Sequence, residues 1–213
     1  MSALGPILEI RTRSVGMAWI RSLIAAVRCV TASAWDTNLV SVSDKYIAVN
    51  YQSSGGGAFL VCPLSQTGKH PDQYPLCRAH TAPVLDTAFS PFDDSLIASA
   101  GEDGRVAITR IDEQILLDAW THESNTATQE ATQDLEPVAR FNAHARKAGH
   151  VAWHPTAEGV LASASTEVKI WDVHAEASKY TSETHPDMVQ SISWDYTGGV
   201  YATSVHRSHS ARL

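Results

Sequence analysis

The chain has 213 residues, of which 44% are hydrophobic and 18% charged, with a formal net charge of −7 at neutral pH. This composition is typical of a globular protein with a sizeable core, and the negative balance argues against a dedicated binder of nucleic-acid phosphates. Three cysteines without a CxxC pair exclude a disulfide framework and a cysteine-rich zinc module, and no apolar run reaches the ~18 residues of a membrane-spanning helix.

Residues 1–33 differ from the rest of the chain. They carry four arginines against a single glutamate, and the apolar stretch Met17–Val30 has the spacing of an amphipathic helix. An arginine-rich, acid-poor N-terminus is also a feature of mitochondrial transit segments. We favour a simpler interpretation, in which this segment is foreign to the fold that follows and any regular structure in it is helical.

Residues 34–205 show a pattern of short strands, each rich in Val, Ile or aromatic residues and bounded by turn residues. These features predict an all-β fold. The predicted strands are Tyr46–Asn50, Ala58–Leu64, Val84–Phe89, Leu96–Ala100, Arg105–Ile111, Val151–Trp153, Val160–Ala164, Val168–Val173, Val189–Trp194 and Val200–Ser204.

An acidic stretch, residues 112–137, interrupts the strands. It contains seven carboxylates and neither lysine nor arginine. We predict an acidic surface insertion with at most a short helix near Gln114–Trp120.

Internal repeats indicate the architecture. The leading histidines His80, His144 and His185 lie 64 and 41 residues apart, and removing the insertion brings the first spacing near 40. Two of the repeats share a small-residue strand, Ile97–Ala100 and Leu161–Ala164. A period of about 40–45 residues with four short strands is typical of a WD-repeat β-propeller, and this chain holds about three recognisable blades plus N-terminal strands.

The repeated polar residues have a structural interpretation. In a WD repeat, a loop His, a strand Ser or Thr, a turn Asp and a Trp form a buried hydrogen-bond network within a blade, because unpaired buried polar groups are costly. The second unit has a turn, Ser165–Val168, that lacks about two residues, including the Asp. The predicted network residues are His80, Ser99 and Asp103 in the first unit, His144, Ser163 and Trp171 in the second, and His185 and Thr203 in the third.

One family resembles the chain more closely than the general repeat does. The motifs are the glycine run before Ala58-Phe59, the segment Ala79–Asp86 and the string Gly149–Ala157, which reads GHVAWHPTA. Together with flanking matches they cover roughly residues 33–205 and resemble coronins. The resemblance implies a seven-bladed propeller that binds filamentous actin in the cytoplasm, at the actin cytoskeleton, with other cytoskeletal proteins as further candidate partners.

The departures from the family pattern carry their own expectations. Residues 1–32 and the tail 206–213 do not match, only part of the seven blades is present, and the family's C-terminal coiled coil is not found in this chain. We therefore expect the N-terminal half of a coronin, either truncated or altered at its ends by a faulty gene prediction.

Two functions remain open at this point. The first is an actin-binding scaffold that regulates actin organisation without chemistry, and the alternative is a generic WD-repeat adaptor that does not bind actin. We predict no enzyme activity, no cofactor or metal, and no nucleic-acid partner. The basic residues that could contact a partner are Arg78, Arg105, Arg146 and Lys147.

Overall fold

The computed structural model describes residues 38–53, 56–66, 74–121 and 134–205. Segment 1–33 and tail 206–213, which the sequence pattern sets apart, lie outside the described residues, so those boundaries stay predictions. In the described part the all-β prediction is confirmed: the chain forms fourteen strands and one helix.

The first two sheets have four antiparallel strands each, in chain order. The first sheet contains β1 (Val40–Val42), β2 (Tyr46–Ser53), β3 (Gly56–Pro63) and β4 (Leu76–His80). The second sheet contains β5 (Val84–Phe89), β6 (Leu96–Gly101), β7 (Arg105–Arg110) and β8 (Pro137–Asn142).

The third sheet repeats this arrangement, and the fourth shows two strands among the described residues. The third contains β9 (His150–Trp153), β10 (Val160–Ala164), β11 (Val168–Asp172) and β12 (Ala177–Thr181). The fourth contains β13 (Val189–Trp194) and β14 (Tyr201–Val205).

The first strands of successive sheets are neighbours. β1 contacts β5, β5 contacts β9, and β9 contacts β13. Each sheet therefore stands as a blade with its first strand innermost, and apolar side chains fill the space between blades. Phe59 and Ile97 belong to the buried cluster shared by the first and second sheets, and Val106 and Trp153 to that of the second and third.

The acidic insertion begins with the helix α1 (Glu113–Thr121), close to the predicted short helix. The Asp112 carboxylate caps it by accepting the backbone N–H of Gln114 at 2.9 Å. Leu116 is fully buried against the first two blades. The insertion returns at Leu135, which forms a parallel bridge with Cys77 on β4, so it ties the outer strand of the first blade to the second blade.

Within the described ranges, no helix has the length and apolar character needed to cross a membrane.

Candidate interaction site

The second blade contains the first of the polar networks. His80 ends β4, and its Nε2 lies 2.9 Å from Ser99 Oγ while its Nδ1 lies 3.0 Å from Asp103 Oδ1. A carboxylate can only accept, so Nδ1 carries a proton and donates to Asp103, while Nε2 shares a hydrogen bond with the serine hydroxyl. Asp103 also accepts the backbone N–H of Thr81 at 3.0 Å. The sequence-predicted trio is therefore brought together in one buried group.

The pKa of Asp103 reflects this environment. Burial alone would raise the pKa of the carboxyl, but the hydrogen bond and charge of His80 and the N–H groups of Thr81 and Arg105 outweigh it. The pKa of Asp103 consequently lies well below its usual range, and the carboxylate stays ionised.

The network of the second blade lacks the tryptophan that would bond to Ser99. Thr109 pairs with Ile97 across β6 and β7, whereas in the third blade Trp171 pairs with Leu161, the counterpart of Ile97. Thr109 thus occupies the position of the tryptophan, and its buried Oγ1 has no hydrogen-bond partner among the described residues.

The third blade contains the complementary arrangement. Trp171 donates its Nε1–H to Ser163 Oγ at 2.9 Å, and His144 Nε2 lies 2.8 Å from the same oxygen. Trp171 also stacks on Phe141, with ring centroids 5.2 Å apart. The tryptophan end is complete here, but His144 Nδ1 is buried without a hydrogen-bond partner within the described residues.

The missing partner follows from a short turn. Five residues separate the last cross-strand pair of the second blade, Ala100 and Val106, whereas three separate Ala164 and Val168 in the third. The prediction of a turn two residues shorter, without the Asp, is confirmed. Glu167 occupies this turn, with Oε1 3.6 Å from His144 Nδ1, too far for a hydrogen bond.

His144 is consequently held neutral. Burial lowers the pKa of the imidazole, the nearby ammonium of Lys169 lowers it further, and Glu167 offsets part of the effect, so that the pKa falls to about 4. Glu167 is itself engaged by Lys169 Nζ at 3.1 Å. The same ammonium donates to the carbonyl of Ala143 at 2.7 Å.

The third predicted pair, His185 and Thr203, is not joined by a hydrogen bond in the described part of the chain. His185 donates its backbone N–H to the carbonyl of Thr166 at 2.7 Å, and Thr203 pairs with Ile192 in the last sheet. The described fourth sheet has two strands and so shows no Trp or turn Asp beside Thr203, and a third network stays a prediction.

The four predicted partner-contact cations do not share one role. Arg78 is engaged: its Nε lies 2.5 Å from Asp134 Oδ2, and its guanidinium donates to Ser53 Oγ at 2.6 Å. Arg140 also donates to the Arg78 carbonyl at 3.2 Å. Arg78 therefore helps hold the insertion and two outer strands together.

Arg105, Arg146 and Lys147, in contrast, lie on neighbouring loop segments of one face. Gly104, which precedes Arg105, lies directly against the carbonyl oxygens of His144 and Arg146, and the N–H of His144 donates to its carbonyl at 2.9 Å. Within the described ranges, none of the three cationic side chains makes a hydrogen bond or ion pair. The two arginines are exposed and Lys147 is half-buried.

The structure also shows links between blades that sequence reasoning missed. Trp153 donates its Nε1–H to the carbonyl of Ala88 at 2.8 Å, and Trp194 donates in the same way to Ala152 at 3.2 Å. Each tryptophan ends the first strand of its blade and bonds to the blade before it. The signal was present in the sequence as a tryptophan recurring at this position of the repeat.

His154 forms a further link between the third and fourth blades. Its Nδ1 accepts the N–H of Ala157 at 2.9 Å, so Nε2 carries the proton and donates to the carbonyl of Gly198 at 3.0 Å. Both ring nitrogens are therefore used in the fold. Across the described ranges, no three His, Cys, Asp or Glu side chains are grouped to hold a metal ion.

These blades and their internal networks define a WD-repeat β-propeller architecture. A WD-domain G-beta repeat model matches residues 73–108 and 135–172, and a model described as a domain of unknown function, DUF1899, matches residues 22–69. The DUF1899 match begins at residue 22, inside segment 1–33.

Comparison with curated relatives narrows the class from WD-repeat proteins in general to one family. The chain is 47% identical over 176 residues to a coronin-like protein of Saccharomyces cerevisiae, covering 82% of this chain and 26% of that protein. It is 39% identical over 168 residues to a coronin-like protein of Schizosaccharomyces pombe, covering 78% and 26%. It is 37% identical over 183 residues to human Coronin-2A, covering 82% and 32%. The chain belongs to the coronin family, and it spans about a quarter to a third of the length of these relatives.

A solved structure agrees in fold. The WD40 domain of Toxoplasma gondii coronin superposes with a TM-score of 0.69 at 24% identity, over 83% of this chain and 42% of that one.

Proposed function

We propose that this chain supplies propeller blades to a coronin-type scaffold that binds actin filaments and catalyses no reaction. The observation that carries the proposal is family membership, at 47% identity over most of the chain. Filament binding is the role that the coronin resemblance implies. The proposed place of action is the cytoplasm, at the actin cytoskeleton.

The described geometry is compatible with a binding scaffold. The polar side chains inside the blades, such as His80, Asp103 and Ser163, bond to one another and therefore hold strands rather than face a cleft. Tryptophan and histidine bonds fix the relative positions of the blades. A rigid frame of this kind presents its loops in constant positions, as a protein-binding surface requires.

Co-sedimentation with actin filaments tests the proposal. The full 213-residue chain should pellet with filaments in a saturable way, and the bound fraction should fall as salt rises, since charge contacts at a surface are screened. Bovine serum albumin, which is also acidic, serves as the control for trapping in the pellet. If the chain stays in the supernatant at low salt while a full-length coronin pellets, the generic adaptor is the better description of this chain.

A further inference from the structure

The loop face that carries Arg105, Arg146 and Lys147 stands apart from the rest of the surface. The chain as a whole has a net charge of −7, yet three cations lie on neighbouring segments here without a partner in the described structure. An arginine that serves the fold has a different environment, as Arg78 shows by its bonds to Asp134 and Ser53.

The carboxylates of this face are largely occupied. Asp103 is bound by His80 and Thr81, and Glu167 is paired with Lys169. Glu102 remains as an exposed carboxylate beside the three unpaired cations. The segments 101–105 and 143–148 therefore carry three cations against the carboxylates of Glu102 and Asp103, on a protein whose net charge is −7.

The backbone beneath these cations is fixed. The N–H of Ala148 donates to the carbonyl of Gly101 at 3.0 Å, and the N–H groups of Ala143 and His144 both donate to the carbonyl of Gly104. From below, Lys169 donates to the carbonyl of Ala143. The loop 143–148 is thus bonded to the turn of the second blade and to β11 of the third, and this fixes the backbone that carries the cations before any partner arrives.

We infer that Arg105, Arg146 and Lys147 form a docking surface for an acidic protein surface. Because the partner class is taken from the filament-binding role, the inference rests on the proposed function and adds its location. Three cations with a carboxylate between them suit a matching pattern of carboxylates on a protein. An anionic membrane or a nucleic acid would instead favour a larger, unmixed basic surface.

The test compares two triple variants of the full chain. Arg105→Gln/Arg146→Gln/Lys147→Gln removes the three face cations, and Lys45→Gln/Arg110→Gln/Lys179→Gln removes three exposed cations elsewhere. Both change the net charge from −7 to −10. Thermal unfolding first checks that both variants fold.

Binding is then measured to actin filaments, to poly-L-glutamate as an acidic polypeptide, and to phosphatidylserine vesicles. We expect the face variant to bind filaments and poly-L-glutamate about tenfold more weakly than the wild-type chain, while the control variant is nearly unchanged. If the wild-type chain binds poly-L-glutamate through this face but does not bind filaments, the docking surface stands and the proposed function fails. Equal binding by both variants to both polypeptides, no wild-type binding to either of them, or a loss confined to vesicles, would overturn the inference.

Discussion

Thr109 and Trp171 occupy the same register position in two neighbouring blades, but only Trp171 donates a hydrogen bond to the serine on the adjacent strand. The hydroxyl of Thr109 is buried and unpaired within the described structure. The opposite defect occurs at His144, where the tryptophan is present and the aspartate is missing. The second and third blades therefore each lack one partner of the network, and each leaves one buried polar atom unpaired in the described structure, Thr109 Oγ1 in the second and His144 Nδ1 in the third.

Removing the unpaired hydroxyl should stabilise the second blade. Thr109→Val keeps the shape of the side chain and eliminates a buried polar atom, so we expect the free energy of unfolding to rise by about 1 kcal/mol. Urea denaturation measures this. Thr87→Val is the matched control, because Thr87 is also buried but its hydroxyl contacts Asn50 Oδ1 at 3.5 Å. A stabilisation of equal size in both variants would show that the gain comes from the added methyl group.

Ser163 should matter more than a typical serine, because it holds two groups at once. Ser163→Ala leaves Trp171 Nε1 and His144 Nε2 without their partner, and we expect a loss of about 1–3 kcal/mol in the free energy of unfolding. Ser193→Ala, at an exposed position of β13, provides the comparison and should change stability by less than about 0.5 kcal/mol. Similar losses in the two variants would argue against the network.

His144 should make the fold sensitive to mild acid. Its pKa is lowered to about 4 in the folded chain, against 6.5 ordinarily, so the unfolded chain binds a proton first as the pH falls. This contribution to stability is complete above pH 6.5, declines as the pH falls, and is lost near pH 4, amounting to about 3 kcal/mol at most. Asp103, whose pKa lies below its usual range, loses its contribution at lower pH than this window.

The measurement is urea unfolding at intervals from pH 7 to pH 4.5. His144→Gln, which does not titrate, should show a flatter dependence on pH than the wild-type chain. Parallel curves for the two proteins would mean that His144 does not account for the acid sensitivity.

A side chain at Gly198 should destabilise the junction of the third and fourth blades. Its φ is +78°, and a Cβ there would lie 2.0 Å from the His154 ring. Gly198→Ala must therefore displace the ring and break its bond to the Gly198 carbonyl, which we expect to cost about 1–3 kcal/mol and to speed amide exchange in β13 and β14. Gly199→Ala is the matched control, because its Cβ would meet Thr197 Oγ1 at an ordinary 3.5 Å.

The insertion should protect Cys77. Burial raises the pKa of this thiol far above its usual range, and burial raises that of Cys62 to about 12. Both thiols should resist iodoacetamide at pH 8. Leu135→Ala loosens the segment bridged to Cys77, so mass spectrometry should find faster modification of Cys77 than of Cys62. Equal acceleration at both cysteines would indicate general unfolding rather than local opening.

The sequence predicted the inner parts of the blades better than the outer ones. All ten predicted strands have counterparts in the structure, and most of them carry apolar residues that are buried between sheets. The four unpredicted strands are β1, β4, β8 and β12. β4, β8 and β12 are the outermost strands of their blades, where exposed charges such as Arg78 and Lys179 interrupt the apolar pattern, and β1 has only three residues.

The polar contacts, too, were predictable from the sequence only in part. The motif order predicted the His80 and His144 groups, since each is set by a strand register that a repeat preserves. The role of Arg78 could not be read from the sequence, because its partner Asp134 is 56 residues away and its position depends on how the insertion folds back. Whether a cation is paired depends on how the chain packs, and the sequence alone does not show it.

The tryptophan hydrogen bonds between blades run from each later blade to the blade before it in the chain. Trp153 donates to Ala88 in the preceding blade, and Trp194 donates to Ala152. Each of these hydrogen bonds therefore attaches a blade to the blade that is synthesised before it. A chain emerging from the ribosome can therefore secure such a blade as soon as its first strand appears, without waiting for later sequence. Ser193 is the counterpart of Ala88 and Ala152 in the fourth sheet, and its carbonyl offers the same attachment point to any blade that follows.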